Sequence, residues 1–133
     1  MRVVNTLYVV ILVFSAAFGG AIFKQKPVAS PSGSAIIVRW ESLDESSIDR
    51  FEVWRKSYNK SEFTFVSIVP KMGDNKSYEY LDQQVFKNVD GIYVYEIRGM
   101  SGENIIVRSD LATVSHVSSA AKRTWGSIKA MFR

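Results

Sequence analysis

The sequence predicts an all-β domain, a seven-stranded antiparallel β-sandwich, and three observations carry that prediction. Beyond Lys24 apolar residues alternate with polar ones instead of recurring at every third and fourth position. The apolar runs are short and rich in β-branched and aromatic residues, and turn-prone segments interrupt them about every 8 to 12 residues. No helix of ordinary length fits between the interruptions. A small barrel uses the same number of strands and is the alternative.

The elements follow in order. Ala35-Ile36-Ile37-Val38-Arg39-Trp40 reads as the first strand, and Phe51-Glu52-Val53-Trp54-Arg55 alternates as the second. Phe63 to Val69 is dense in β formers, Ser77-Tyr78-Glu79-Tyr80-Leu81 alternates again, and Ile92 to Ile97 sets Tyr93, Tyr95 and Ile97 on one face. Ile105-Ile106-Val107 and Leu111 to Val117 complete the set. Between them lie Pro31 to Ser34, Ser42 to Asp49, Ser57 to Glu62, Lys71 to Asn75, Asn88 to Gly91 and Gly99 to Gly102, all polar or turn-prone.

Composition narrows the function. The 133 residues are 47% hydrophobic and 23% charged with only 8 Gly and 3 Pro, which excludes disordered and low-complexity chains and leaves room for one core. No Cys and a single His exclude disulfide scaffolds, Cys-based zinc sites and thiol catalysis. The formal charge of +4 is uneven. Residues 24–116 hold 12 Lys and Arg against 13 Asp and Glu, one net negative charge, whereas 118–133 hold four basic residues and no acid. Interleaved charge on the body does not make a phosphate-tracking groove, so no nucleic-acid partner is expected.

The chain divides into residues 1–23, 24–117 and 118–133. Met1-Arg2, the apolar stretch Leu7 to Phe14 and the small residues Ser15 to Ala21 have the order of a secretory signal peptide, with cleavage expected between Ala17 and Ala21. An uncleaved membrane anchor over residues 3–23 is the alternative. Either way the body is expected outside the cytoplasm: periplasmic, at the cell surface or secreted. In the last segment Ala121, Trp125, Ile128 and Phe132 share one side of a helical wheel, while Lys122, Lys129 and Arg133 gather opposite and Arg123 lies further round. A cationic amphipathic tail of this kind suits a groove on a protein partner or an anionic membrane surface. Packing back on the domain's own edge is the alternative.

Four pieces together resemble the fibronectin type III family, particularly its bacterial form: Ile36-x-Val38-x-Trp40, Ile48-Asp49-Arg50-Phe51-x-Val53-x-Arg55, Tyr80-x-Asp82 and Gly91-x-Tyr93-x-Tyr95-x-Ile97. The resemblance covers about Pro27 to Val117, with the usual first-strand pattern missing before Ser34. It implies an immunoglobulin-like sandwich in which Trp40 is buried between the sheets and Phe51 and Val53 point inward. It also implies that Tyr93 is a tyrosine corner whose hydroxyl returns to the preceding connection.

Chemistry-bearing residues are few. His116 has no second His and reads as a surface strand residue. Asp44 to Asp49 lacks the Gly and Glu spacing of an EF-hand and reads as a solvated loop. Gly99 to Gly102 reads as a hairpin turn, and the sequons at Asn59 and Asn75 fall on turns. No catalytic residue, metal ligand or cofactor is assigned, and the chain is expected not to be an enzyme. Alternation that buries Phe51 and Val53 turns Trp54 outward, a candidate contact or a side chain packed over a neighbouring strand. The expected partner-binding residues are therefore Trp54, Lys122, Arg123, Trp125, Ile128, Lys129, Phe132 and Arg133. The expected role is a protein-binding or structural module of an extracytoplasmic assembly, with the tail as docking element. The alternative is a domain held to a bilayer by its first helix, its tail or both.

Overall fold

A computed structural model describes residues 21–85 and 91–117. These hold eight strands: β1 (Val28–Ser32), β2 (Ala35–Glu41), β3 (Arg50–Ser57), β4 (Thr64–Pro70), β5 (Ser77–Asp82), β6 (Gly91–Ser101), β7 (Asn104–Arg108) and β8 (Ala112–His116). They form two antiparallel sheets, a smaller one ordered β1-β2-β5 and a larger one ordered β4-β3-β6-β7, with β8 also paired to β6. The described residues contain no helix, and none long and apolar enough to cross a membrane.

The strand count differs from the expected seven because β1 is added. Its sequence VASPS carries no apolar alternation, yet it pairs along β2 from Val28 opposite Arg39 to Ser32 opposite Ala35. As an edge strand it tolerates Pro31, which has no amide to donate to a ladder. The last two strands run in turn along β6, with Arg108 opposite Arg98 and Ala112 opposite Tyr95, so they act as one strand broken at Ser109 to Leu111.

Period-two alternation builds the interior. Ile36, Val38 and Trp40 face Phe51, Val53, Tyr95 and Ile97 across the sheets, all buried. Trp40 stacks on Tyr78 at 5.2 Å, and Phe51 meets Tyr78 edge-on at 4.9 Å. Each such side chain contributes about 1.5 to 3 kcal/mol on leaving water, enough in sum to hold the fold without disulfides. Gly99 has no side chain because none fits: a Cβ there would lie 2.8 Å from Val107 and 3.0 Å from Ile48.

The domain begins earlier than Lys24. Ile22 is buried in the core, Phe23 packs on Phe51 at 5.9 Å and bridges Ser42, and the Ile22 carbonyl accepts from the Leu43 amide. Both residues belong to the sandwich and not to the apolar run ahead of it. The chain thus enters at the end formed by the β2–β3 loop, the β4–β5 loop and the β6–β7 turn. It leaves after His116, opposite Gly91, at the other end.

Candidate interaction face of the larger sheet

Alternation that sends Phe51 and Val53 of β3 and Tyr95 and Ile97 of β6 into the core sends Glu52, Trp54, Glu96 and Arg98 to the outer face. There Glu52 lies opposite Arg98 and Trp54 opposite Glu96. The Arg98 guanidinium sits 3.9 Å from the centre of the Trp54 ring while its Nε donates to Glu96 Oε1 at 2.7 Å. Trp54 Nε1 donates to Glu52 Oε1 at 3.1 Å, and Arg50 holds the other oxygen of Glu52 at 2.9 Å. Hydrogen bonds from Arg50 to Asp49 and Glu52 raise the Arg50 pKa above its ordinary value. Phe65 on β4 meets Trp54 edge-on at 5.6 Å, and Phe63 lies within reach of both Lys56 and Arg98.

The result is an aromatic platform in which Glu52 and Glu96 are paired with Arg50 and Arg98. A stacked Arg on Trp contributes about 0.5 to 2 kcal/mol and fixes both planes. Beside the platform the edge strand β4 presents Phe65 and Ile68, each about half exposed. The face offers apolar contact with polar groups already satisfied, which suits a protein surface better than a small polar substrate. Trp54 itself is half-buried because Phe65 and Arg98 cover it. Both aspects of the sequence reading apply: the ring points outward, and it packs over a neighbouring strand.

The other expected binding residues, Lys122, Arg123, Trp125, Ile128, Lys129, Phe132 and Arg133, lie outside the described residues. So does part of the connection to which the Tyr93 hydroxyl was expected to return; Tyr93 itself is buried.

Three sequence readings change. His116 is buried, not on the surface: Val114 and His116 share the inward face of β8, with the imidazole edge-on to Tyr93 and Nε2 3.3 Å from the Ser34 carbonyl. The acidic loop is not solvated throughout. Glu45 is 2% exposed, accepting from the Tyr78 hydroxyl at 2.6 Å and the Gly73 amide at 3.0 Å, and Ile48 is in the core. The hairpin turn is shorter than Gly99 to Gly102, since β6 continues through Ser101.

Sequence reasoning missed Glu52, Phe65, Ile68 and Arg98. Glu52 and Arg98 were visible as outward positions of alternating strands, but their pairing depended on a register that only the folded sheet supplies. Asp82 enters the sequence reading only as part of Tyr80-x-Asp82, with no role; it is fully buried and accepts from the Tyr95 hydroxyl at 2.6 Å, from the Gln84 amide and from Arg55. Burial works against the Arg55 charge, yet Asp82 and Tyr95 hold its pKa above the ordinary value.

Neither a family model nor a curated protein matches the sequence. The fold is similar to that of a fibronectin type III-like protein from Clostridium thermocellum, at a TM-score of 0.53 and 16% identity over 71% of this chain and 91% of that one. This likeness is one of fold: the domain is a fibronectin type III-like sandwich.

Proposed function

We propose that the chain is an exported, non-catalytic fibronectin type III-like module that binds protein through the outer face of its larger sheet, with residues 118–133 as a second docking element. The observation that carries this reading is the Trp54–Arg98 platform bordered by exposed Phe65 and Ile68. Glu52 and Glu96 are paired with Arg50 and Arg98, so a partner can cover the centre of the platform without stranding those ions, while among the described residues Lys56 at its border is held only by the Phe63 ring and the Lys60 carbonyl. The chemistry-bearing side chains support a non-catalytic role. Asp82 and Glu45 are each bonded within the fold, and His116 is buried with Nε2 against the Ser34 carbonyl, rather than converging on a cleft.

The test is recovery of envelope partners by the full chain, by a Trp54→Ala/Phe65→Ala variant and by a chain lacking 118–133. Loss of the same partner with the double variant supports the face. Equal recovery by all three removes both docking elements, and robust turnover in a broad hydrolase screen ends the non-catalytic reading.

A second reading, retention of the apolar N-terminus as an anchor, is favoured by one observation: the core begins at Ile22, only seven residues, Ser15 to Ala21, beyond the apolar stretch. In that form the two candidate membrane devices leave from opposite ends of a sandwich whose longest strand, β6, spans roughly 33 Å.

A further inference from the structure

The edges of the two sheets are not equally guarded. An edge strand turns the N–H and C=O of every second residue away from its sheet, and proteins blunt such rows with charge, proline or a covering element. β1 carries Pro31 and lies against β8, β5 carries Glu79 and Asp82, and β7 is five residues long between Glu103 and Arg108. β4 is seven residues long, pairs only with β3 among the described strands, and holds no charged side chain, with proline only at its last position. Phe65 and Ile68 stand on it 45% and 52% exposed.

We propose that β4 pairs antiparallel with β4 of a second copy of this chain about a two-fold axis between Val66 and Ser67, joining the two larger sheets edge to edge. This inference rests on the proposed role of the larger sheet as an interaction surface and names the occupant of its β4 border.

A bulge selects that occupant. Val53 lies opposite Ser67 but Trp54 opposite Phe65, so Val66 is an extra residue on β4. Val66 is buried in the core and Val69, opposite Phe51, packs against it, whereas Phe65 meets the Trp54 ring and Ile68 lies opposite outward Glu52. Two side chains three positions apart therefore share the outer face. A regular strand alternates at every residue, so an ordinary extended peptide laid along β4 matches Phe65 or Ile68 but not both. A second β4 carries the same irregular step. With Val66 opposite Ser67 of the other copy, Phe65 falls opposite Ile68 on each side of the axis, an aromatic to β-branched pair made twice, and Thr64 falls opposite Val69.

Charge does not oppose this register. Arg50, opposite Pro70, is held by Asp49 and Glu52, and Lys56 lies over the Phe63 ring and donates to the Lys60 carbonyl. Continued to the residues that flank β4, the register sets Glu62 of one copy opposite Lys71 of the other, and Lys60 opposite Gly73. The groups that hold Lys71 Nζ are the Ile48 and Glu45 carbonyls, which carry no charge, so opposite signs and not like ones meet at the strand ends.

The test compares full chains in mild detergent by sedimentation over a range of concentrations: wild type, Ile68→Lys and a chain lacking 118–133. Because the sequence has no cysteine, Phe65→Cys and Ile68→Cys chains, alone and mixed, are also oxidised, and covalent dimers are measured by intact mass. The wild type is expected to dimerise, and Ile68→Lys to lose the dimer with unchanged near-ultraviolet circular dichroism. The mixture is expected to give the disulfide between positions 65 and 68 in excess over the self-linked product of either chain. Should Ile68→Lys not fold, the disulfide pattern decides by itself. A dimer that survives Ile68→Lys, or self-linked products as abundant as mixed ones, overturns the pairing. So does a dimer that forms only without 118–133, which assigns the edge to the tail. A wild-type monomer that still recovers a partner through Trp54 and Phe65 overturns the pairing and leaves the outer face standing. A dimer that recovers none keeps the pairing and removes the wider role of the face.

Discussion

Glu45 and Asp82 are both withdrawn from water, and each accepts a tyrosine hydroxyl at 2.6 Å, yet they are held by different chemistry at opposite ends of the sandwich. Asp82, at the end of β5 in the smaller sheet, reaches across the core to Tyr95 and Arg55 of the larger one. Its charge is met by a cation. Glu45, in the β2–β3 loop, is met by the Tyr78 hydroxyl and the Gly73 amide, while Lys71 turns to the backbone carbonyls of Ile48 and Glu45. The first hub joins two sheets with an ion pair; the second joins two loops with neutral donors. The fold therefore invests charge where two layers must hold together and dipoles where only a loop must keep its shape.

The largest expected effect comes from breaking the ion pair from one side. Arg55→Met leaves a fully buried carboxylate without its cation and is expected to destabilise the domain by about 3 to 5 kcal/mol in urea unfolding. Arg55→Met combined with Asp82→Leu is expected to recover most of that loss, because neither charge then remains to be desolvated. A loss below about 1 kcal/mol for Arg55→Met alone would mean that water reaches Asp82 and that the cross-sheet clamp is not electrostatic.

The tyrosines sharpen the contrast in the opposite direction. Removing a hydrogen bond to a charged group costs about 1.5 to 3 kcal/mol. Tyr95→Phe leaves Asp82 with Arg55 and the Gln84 amide and belongs at the lower end. Tyr78→Phe leaves the Glu45 carboxylate with the Gly73 amide and also strips the Met72 amide of its acceptor, so it belongs at the upper end. Equal costs in paired denaturation curves would erase the distinction between the hubs.

How much of this was legible depends on the range of the interaction. The dry interior was, because Trp40, Phe51, Val53, Tyr93, Tyr95 and Ile97 are placed by strand alternation, a rule that acts over two residues. His116 was legible by the same rule, since an inward Val114 makes the residue two further on inward as well; the isolated ring drew attention away from its parity. Glu45 was not, because its partners Gly73 and Tyr78 are 28 and 33 residues away and nothing local marks the loop as covered. Ile22 and Phe23 were misassigned for a different reason: hydropathy cannot tell the end of an apolar export run from the start of a core. On the candidate face, alternation set the direction of Trp54, but the Arg98 stack depended on strand register.

Raising the pH separates the hubs through the same two hydroxyls. Burial, reinforced by Glu45, pushes Tyr78 up to about 12, and burial together with Asp82 pushes Tyr95 higher still. A tyrosine in the unfolded chain loses its proton near about 10. The folded state therefore retains protons that the unfolded state releases, and the stabilisation is complete below pH about 10 and declines as pH rises through the folded values. Tyr78→Phe is expected to flatten the part of the decline between about 10 and about 12, and Tyr95→Phe the part that continues above it. A wild-type stability that does not fall from pH 10 to 12 would show the Tyr78 hydroxyl to be as wet as in the unfolded chain.

The smallest expected effect lies at the rim of the loop hub and reads a single amide. Asp49 Oδ2 accepts from the Gly102 amide at 2.6 Å, joining the β6–β7 turn to the β2–β3 loop. That bond, followed by the one from Arg50, holds the Asp49 carboxyl below the ordinary aspartate value. A depressed carboxyl stabilises the fold above its unfolded pKa, and the contribution disappears as pH falls through the folded one. The Gly102 amide proton shift is expected to titrate with an inflection below 3.8 and to lose that titration in Asp49→Asn, with little change in global stability. An inflection at or above 3.8, or one that persists in the variant, would detach this turn from the loop hub.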